Sequence, residues 1–185
     1  MNTLVTYPTG KPLEITLDYL PLCIAGAPGA GSSLFTMTLA AQLLASGQKL
    51  LVMSGYTRAV DELRNQIRQP INLVTKLDQI DPHDHLIYLE PQNITLLQST
   101  LERADAISRR VVLIKNYELF CPEDTIDRLV TLPNLILSGK DIPVARGGFL
   151  WKSTVAFIGA NQSNPYAGRF RSGPLTAEVG VQIAG

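Results

Sequence analysis

The chain has 185 residues, 45% of them hydrophobic and 17% charged, the composition of a globular domain with a single core. Lysine plus arginine and aspartate plus glutamate both number 16, so the formal net charge is zero. A neutral chain whose longest basic clusters are Arg109-Arg110 and the Arg169/Arg171 pair lacks the concentrated cations that a nucleic-acid backbone requires, and no nucleic-acid partner is expected. Two cysteines, Cys23 and Cys121, do not make a disulfide scaffold, and no Cys/His spacing matches zinc, so no metal site is expected. No apolar run approaches the roughly 18 residues that cross a bilayer. The N-terminus carries Lys11 and Glu14 in place of a signal-peptide apolar core. The chain reads as one soluble, intracellular domain over residues 1–185.

Residues 1–19 form a polar lead-in with an extended segment from Leu13 to Leu17. Leu22 to Ala25 is a short apolar strand ending in a glycine-rich loop, and Cys23 within it is a small core residue. Leu34, Met37, Leu39, Ala40, Leu43 and Leu44 then recur at helical spacing, and Gly47 stops the helix. Leu50 to Met53 is a buried strand, and an amphipathic helix follows from Ala59, with Leu63 and Ile67 on one face and Pro70 past its end. Residues 71–85 are polar and turn-rich; His83 and His85, which flank Asp84, read as a solvated loop.

Leu86 to Leu89 is a short strand, followed by a helix carrying Ile94, Leu97, Leu101 and Ala104. Val111 to Ile114, with three β-branched residues in four, predicts a strand buried on both faces. A helix runs from Glu123 to Leu132 and ends at Pro133, the stretch Ser138 to Lys152 is loop-like, and Val155 to Ile158 is another strand. Ala177, Val179, Val181 and Ile183 alternate after a final polar loop. Short apolar strands alternating with helices predict an α/β fold with a parallel sheet covered on both faces.

The loop after the first core strand reads Gly26-Ala27-Pro28-Gly29-Ala30-Gly31-Ser32-Ser33. It meets the phosphate-loop pattern G-x-x-x-x-G-K-[ST] everywhere except at Ser32, which stands where the lysine belongs. Gly26, Gly29, Ala30, Gly31, Ser32 and Ser33 are therefore the candidate nucleotide-binding residues of a degenerate site. The glycines let successive N–H groups point at phosphate oxygens, and Ser33 keeps the hydroxyl that would hold Mg²⁺. The cation is gone.

In a working site of this kind, a later strand ends with an acid on the metal side, often followed by a carboxylate that orients water. Here the strand from Val111 runs into Lys115-Asn116, a cation followed by an amide. An ammonium repels Mg²⁺, so the metal side is expected to be lost and with it the electrostatics of phosphoryl transfer. No catalytic residue is assigned, and ATP hydrolysis by this domain alone is not expected. Two readings of Lys115 stand. Its ammonium regains the lost charge beside the phosphate loop, or it points to solvent or pairs with a carboxylate such as Glu118. Gln162 stands at the end of the strand containing Phe157, either as a γ-phosphate sensor or as a polar strand cap. Arg169 and Arg171 are either fingers toward a neighbouring subunit or plain surface residues.

Four segments together resemble the ATPase domain of the FtsK/SpoIIIE type (the FtsK–HerA superfamily). They are the lead-in from Gly10 to Gly26, the strand and following residues from Val111 to Phe120, the strand from Phe157 to Gln162, and the closing Gly180 to Gly185. Within that superfamily the second and fourth are most similar to the C-terminal ATPase module of EssC/EccC, the membrane-bound motor of type VII secretion. Lys115 departs from it, since an aspartate is the family's residue there. The resemblance covers residues 10–185.

It implies a RecA-like P-loop three-layer sandwich with a mainly parallel central sheet. It also implies a degenerate, non-hydrolysing module on the cytoplasmic side of a membrane-anchored motor, excised here from the end of a longer chain. Such a module recognises secreted protein substrates or regulates the upstream ATPase domains of the same motor, and the full-length protein would be a homo-oligomer. ATP, if bound, is expected to bind weakly and without dependence on Mg²⁺. The competing readings are an active ATP-hydrolysing FtsK-like translocase of protein or DNA, and another P-loop NTPase.

Overall fold

The computed structural model describes residues 5–6, 12–13, 17, 20–26, 32–56, 58–66, 70–90, 93–140, 144–145, 148–149 and 154–158. Its strands are β1 (Val5–Thr6), β2 (Pro12–Leu13), β3 (Leu22–Gly26), β4 (Lys49–Ser54), β5 (Asn72–Val74), β6 (Leu86–Leu89), β7 (Arg110–Lys115), β8 (Leu135–Gly139), β9 (Val144–Ala145), β10 (Gly148–Phe149) and β11 (Thr154–Ile158). Its helices are α1 (Ser32–Ala45), α2 (Ala59–Gln66), α3 (Ile94–Leu101), α4 (Ala104–Ile107) and α5 (Glu123–Leu129). Seven strands form one sheet in the order β11-β3-β8-β7-β4-β6-β5, with every pairing parallel. Two short antiparallel pairs, β1 with β2 and β9 with β10, stand apart from it.

A right-handed crossover places its helix on a face set by the direction in which the chain steps across the sheet. From β3 to β4 to β5 the chain steps one way, and α1 and α2 lie on one face. Stepping back through β6, β7 and β8, it lays α3, α4 and α5 on the other. The core divides accordingly. Phe35, Met37, Leu39 and Leu63 pack with Ile24, Leu50, Val52, Val111, Leu113 and Ile136 on the first face. Leu96, Leu97, Ala106 and Leu129 pack with Leu51, Met53, Val112, Ile114, Leu135 and Leu137 on the second. Alternate residues of β4, β7 and β8 thus serve opposite layers, which is why the middles of these strands are apolar without interruption.

Helix α1 is covered on most of its circumference, packing against both the sheet and α2. Phe35, Thr36, Met37, Leu39, Ala40, Leu43 and Leu44 are all buried. It ends as the sequence predicts. Gly47 adopts φ +85°, its N–H reaches Leu44 O at 3.0 Å, and the next N–H, of Gln48, reaches Leu43 O at 2.9 Å. That pair of bonds satisfies the orphan carbonyls of the last turn in a Schellman arrangement.

Five local readings change. Strand β8 replaces the start of the stretch read as a loop, and it occupies the place between β3 and β7. Its apolar run is only Leu135 to Leu137, but Ser138 and Gly139 complete it. Strand β5 lies within the polar stretch 71–85, at the sheet edge where polar residues are tolerated. The helix predicted through Ala104 breaks at Glu102-Arg103, where the Arg103 guanidinium donates to Leu77 O at 2.9 Å. Helix α5 stops at Leu129, and Leu17 sits in a 3₁₀ turn instead of an extended segment. The alternating residues from Ala177 to Ile183 and the helical position of Ile67 lie outside the described residues.

Nothing lies within 4 Å of a Cβ built on Gly47, so Gly47→Ala meets only the backbone penalty of a left-handed residue. Urea unfolding is expected to show a loss of about 1 kcal/mol.

Candidate functional site

Because every strand of the sheet is parallel, all the carboxyl ends lie along one edge, where open α/β sheets bind ligands. At this edge β3 leads to α1 on one face, whereas β7 leads to α5 on the other. Gly26 is the last residue of β3, paired with Ile158, and Ser32 and Ser33 open α1 as half-buried residues. Gly29, Ala30, Gly31 and Gln162, together with Arg169 and Arg171, lie outside the described residues. The strand, loop and helix order around the glycine-rich motif is the context that the motif requires.

Lys115 ends β7. In the ladder it stands opposite Ser54 of β4 on one side and Ser138 of β8 on the other. Val111 and Leu113 belong to the α1 layer and Val112 and Ile114 to the opposite one, so Lys115, next in the alternation, is on the α1 face. The same count from Val52 and from Ile136 puts Ser54 and Ser138 there too. Three polar side chains therefore end an otherwise apolar face, in one row, with adjacent strands about 4.8 Å apart.

All three are buried. Lys115 is only 1% exposed, so it does not point to solvent. Nor is Glu118 its neighbour on that face. Glu118 lies over Gly139 beside the Tyr117 ring, on the face of α5, and its Oε1 accepts the Lys140 N–H at 3.3 Å. The approach is so close that a Cβ on Gly139 would come within 2.4 Å of Glu118 Oε2 and 2.6 Å of Tyr117 Cε1. Lys115 does have an interaction partner, as a lysine this enclosed must.

Helix α1 is stitched to this row. Thr36 Oγ1 donates to Ser32 O at 2.8 Å within the helix and shares a buried hydrogen bond with Ser138 Oγ at 2.9 Å. Ser54 Oγ accepts the Tyr56 N–H at 3.2 Å. Asn116 turns the chain out of β7 with φ +55°, a left-handed conformation that asparagine tolerates, and its N–H donates to Ser138 O at 2.6 Å. Its Oδ1 is buried with no hydrogen-bond partner among the described residues.

Among the described residues, those at this edge that a metal ion would meet are Ser33, at the start of α1, and Ser54, Lys115, Asn116 and Ser138 at the strand ends. Mg²⁺ requires a near-octahedral shell of oxygens and is normally held by one or two carboxylates. This set supplies hydroxyls, one amide and a buried ammonium, and it does not fit the ion. Among the described residues no three His, Cys, Asp or Glu side chains converge. The sequence pointed to Lys115 and Asn116 through the strand motif. Thr36, Ser54 and Ser138 escaped it, because a lone serine after an apolar run carries no signal until the register of neighbouring strands is known.

The remaining candidates have structural roles. His83 and His85 are exposed. Arg110 is buried at the opposite end of β7 and donates to the carbonyls of Asp81, Pro82 and Asp84. Burial lowers its pKa while Asp84 and Asp81 oppose the shift. Burial pushes the Cys23 thiol up to about 12, and burial with the nearby Glu118 does the same for Cys121. Neither thiol is a nucleophile at neutral pH.

Comparison with protein-family models gives no match, and comparison with curated proteins gives none either.

Thr36→Val keeps the side-chain shape but leaves Ser138 Oγ buried without that bond. Denaturant titration is expected to show a loss of about 1–3 kcal/mol, and much less additional loss when Ser138→Ala is added. The thiols give a pH dependence. They stay protonated in the folded chain to about 12, against an ordinary value of 9.0. Their contribution is intact below pH 9 and is lost as pH rises through the window to 12. Unfolding free energy is expected to fall across that window, with a flatter slope in the Cys23→Ala, Cys121→Ala double variant.

Proposed function

We propose that the chain is a degenerate phosphate-loop domain of the FtsK/SpoIIIE type, RecA-like in its three layers, that does not hydrolyse ATP. What carries this reading is Lys115. It ends a central strand, buried on the face of the helix that follows the glycine-rich loop, in the position where the family's metal-side acid belongs. Ser32 has removed the cation from the loop and Lys115 has put one where the metal would be. The two changes reverse the charge pattern that phosphoryl transfer depends on. The strand–loop–helix order of β3 and α1, the all-parallel sheet, and helices on both faces support the fold assignment.

A domain that keeps this architecture without its electrostatics serves as a binding or regulatory module. By its resemblance to the C-terminal module of EssC/EccC, it would act on the cytoplasmic side of a type VII secretion motor, recognising secreted protein substrates or setting the activity of the neighbouring ATPase domains. Homo-oligomerisation would belong to the whole motor.

Calorimetry and phosphate release on the purified chain test the core of this. ATP is expected to bind weakly, with the same affinity in Mg²⁺ and in EDTA, and phosphate release is expected to match buffer. Tight binding that requires Mg²⁺, or turnover, would establish an active ATPase in its place.

A further inference from the structure

We propose that Lys115 is an internal cation built into the sheet edge in place of a divalent ion, so that α1 and β7 keep one arrangement whether or not metal and nucleotide are present. This rests on reading β3, the glycine-rich loop and α1 as a degenerate phosphate site. It goes further by assigning that site a fixed state.

The argument starts from position. β7 is the middle strand of seven, and Lys115 is its last residue, on the face that α1 covers. A lysine has a long, flexible stem that normally carries its ammonium to water, and full burial is rare unless the charge is matched. At 1% exposure Lys115 has no route to water, and it has a partner within the chain. The side chain is thus enclosed inside the protein. A side chain waiting for a phosphate would have to be reachable, which weighs against the reading of Lys115 as a relocated phosphate ligand.

The hydroxyls beside it are engaged internally as well. Ser138 is joined to Thr36, which bonds back to Ser32 at the start of α1, and Ser54 accepts the backbone N–H of Tyr56. Asn116 N–H is held by Ser138 O, and Gly55 N–H reaches Lys115 O at 3.0 Å. The row therefore ties β4, β7, β8 and the first turns of α1 to one another by bonds within the chain. A bound metal and nucleotide would ordinarily join those same elements, ordering them only when present. Here the positive charge is covalently part of β7, and a divalent ion brought beside it meets like charge at short range in a poorly screened site.

The test uses Mn²⁺ as the probe, with electron paramagnetic resonance for binding and amide hydrogen exchange at Thr36 to Ala40 for the state of α1. Wild type is expected to leave the Mn²⁺ spectrum as it is without protein, both for Mn²⁺ alone and for Mn²⁺ mixed with ATP, and to show the same exchange in either condition. Lys115→Asp is expected to gain Mn²⁺ affinity at least tenfold and to exchange faster in α1, with Mn²⁺ restoring the slow rate. Lys115→Met, which keeps the length and removes the charge, is expected to exchange at least tenfold faster in α1 with no response to Mn²⁺. The proposal is overturned if wild type binds Mn²⁺ as tightly as Lys115→Asp, if folded Lys115→Asp gains no Mn²⁺, or if Lys115→Met exchanges at the wild-type rate. Should Lys115→Asp fail to fold, wild type and Lys115→Met decide the matter. ATP turnover by wild type is scored separately, since it would remove the degenerate-site reading itself.

Discussion

Strand β7 is the constraint around which the other elements are arranged. All six of its residues are buried, from Arg110 through Val111, Val112, Leu113 and Ile114 to Lys115. Its centre is apolar on both faces, as a middle strand of a covered parallel sheet must be. Its two ends are cations. At the amino end Arg110 gathers three carbonyls from the turn at Asp81 to Asp84, which Lys49 also holds through Pro82 O at 2.9 Å. At the carboxyl end Lys115 is enclosed beneath α1. Both charges are desolvated, so both depend on neighbours that cannot shift by a residue without leaving a charge unmatched. Slippage of β7 against β4 or β8 would expose one cation's stem and bury the other's head among apolar side chains.

That dependence accounts for the sheet's internal order better than hydrophobic burial alone. Aliphatic side chains in β4, β7 and β8 are close to interchangeable, and several registers would bury similar areas. The polar row of Ser54, Lys115 and Ser138 singles out one. It also singles out the placement of α1, because Thr36 meets Ser138 only when the helix sits over β8 with its first turn at the carboxyl edge. The packing supplies most of the stability, and the polar contacts select the geometry.

Much of this was legible in the sequence. The apolar runs of β3, β4, β6, β7 and β11, the periodicity of α1 and its stop at Gly47 were all readable, since each is a strong local pattern. So was the combination of a serine at position 32 with a lysine at position 115. Strand β8 was not, because three apolar residues followed by Ser138-Gly139 look the same in a loop as in a strand that two neighbours cover. The orientation of Lys115 was also out of reach. Whether a strand-end lysine goes to solvent, to Glu118 or under α1 depends on which face the alternation reaches at position 115, and on Glu118 being carried to the other face by the turn at Asn116. Both are properties of register and topology, which short-range pattern does not encode.

The order of strands also governs how the chain can be assembled. β3 is the first strand of the large sheet in sequence, yet its neighbours are β8 and β11, the last two: Leu22 stands opposite Ile136 on one side and Thr154 on the other. While β4, β5, β6 and β7 can associate among themselves as they emerge, β3 has no partner strand until β8 has been made. Closing such distant pairs requires long stretches of chain to be ordered first, which slows folding and leaves the apolar Leu22 to Ala25 segment open to wrong associations in the interval. The first strand of the large sheet is therefore the one its own topology obliges to wait.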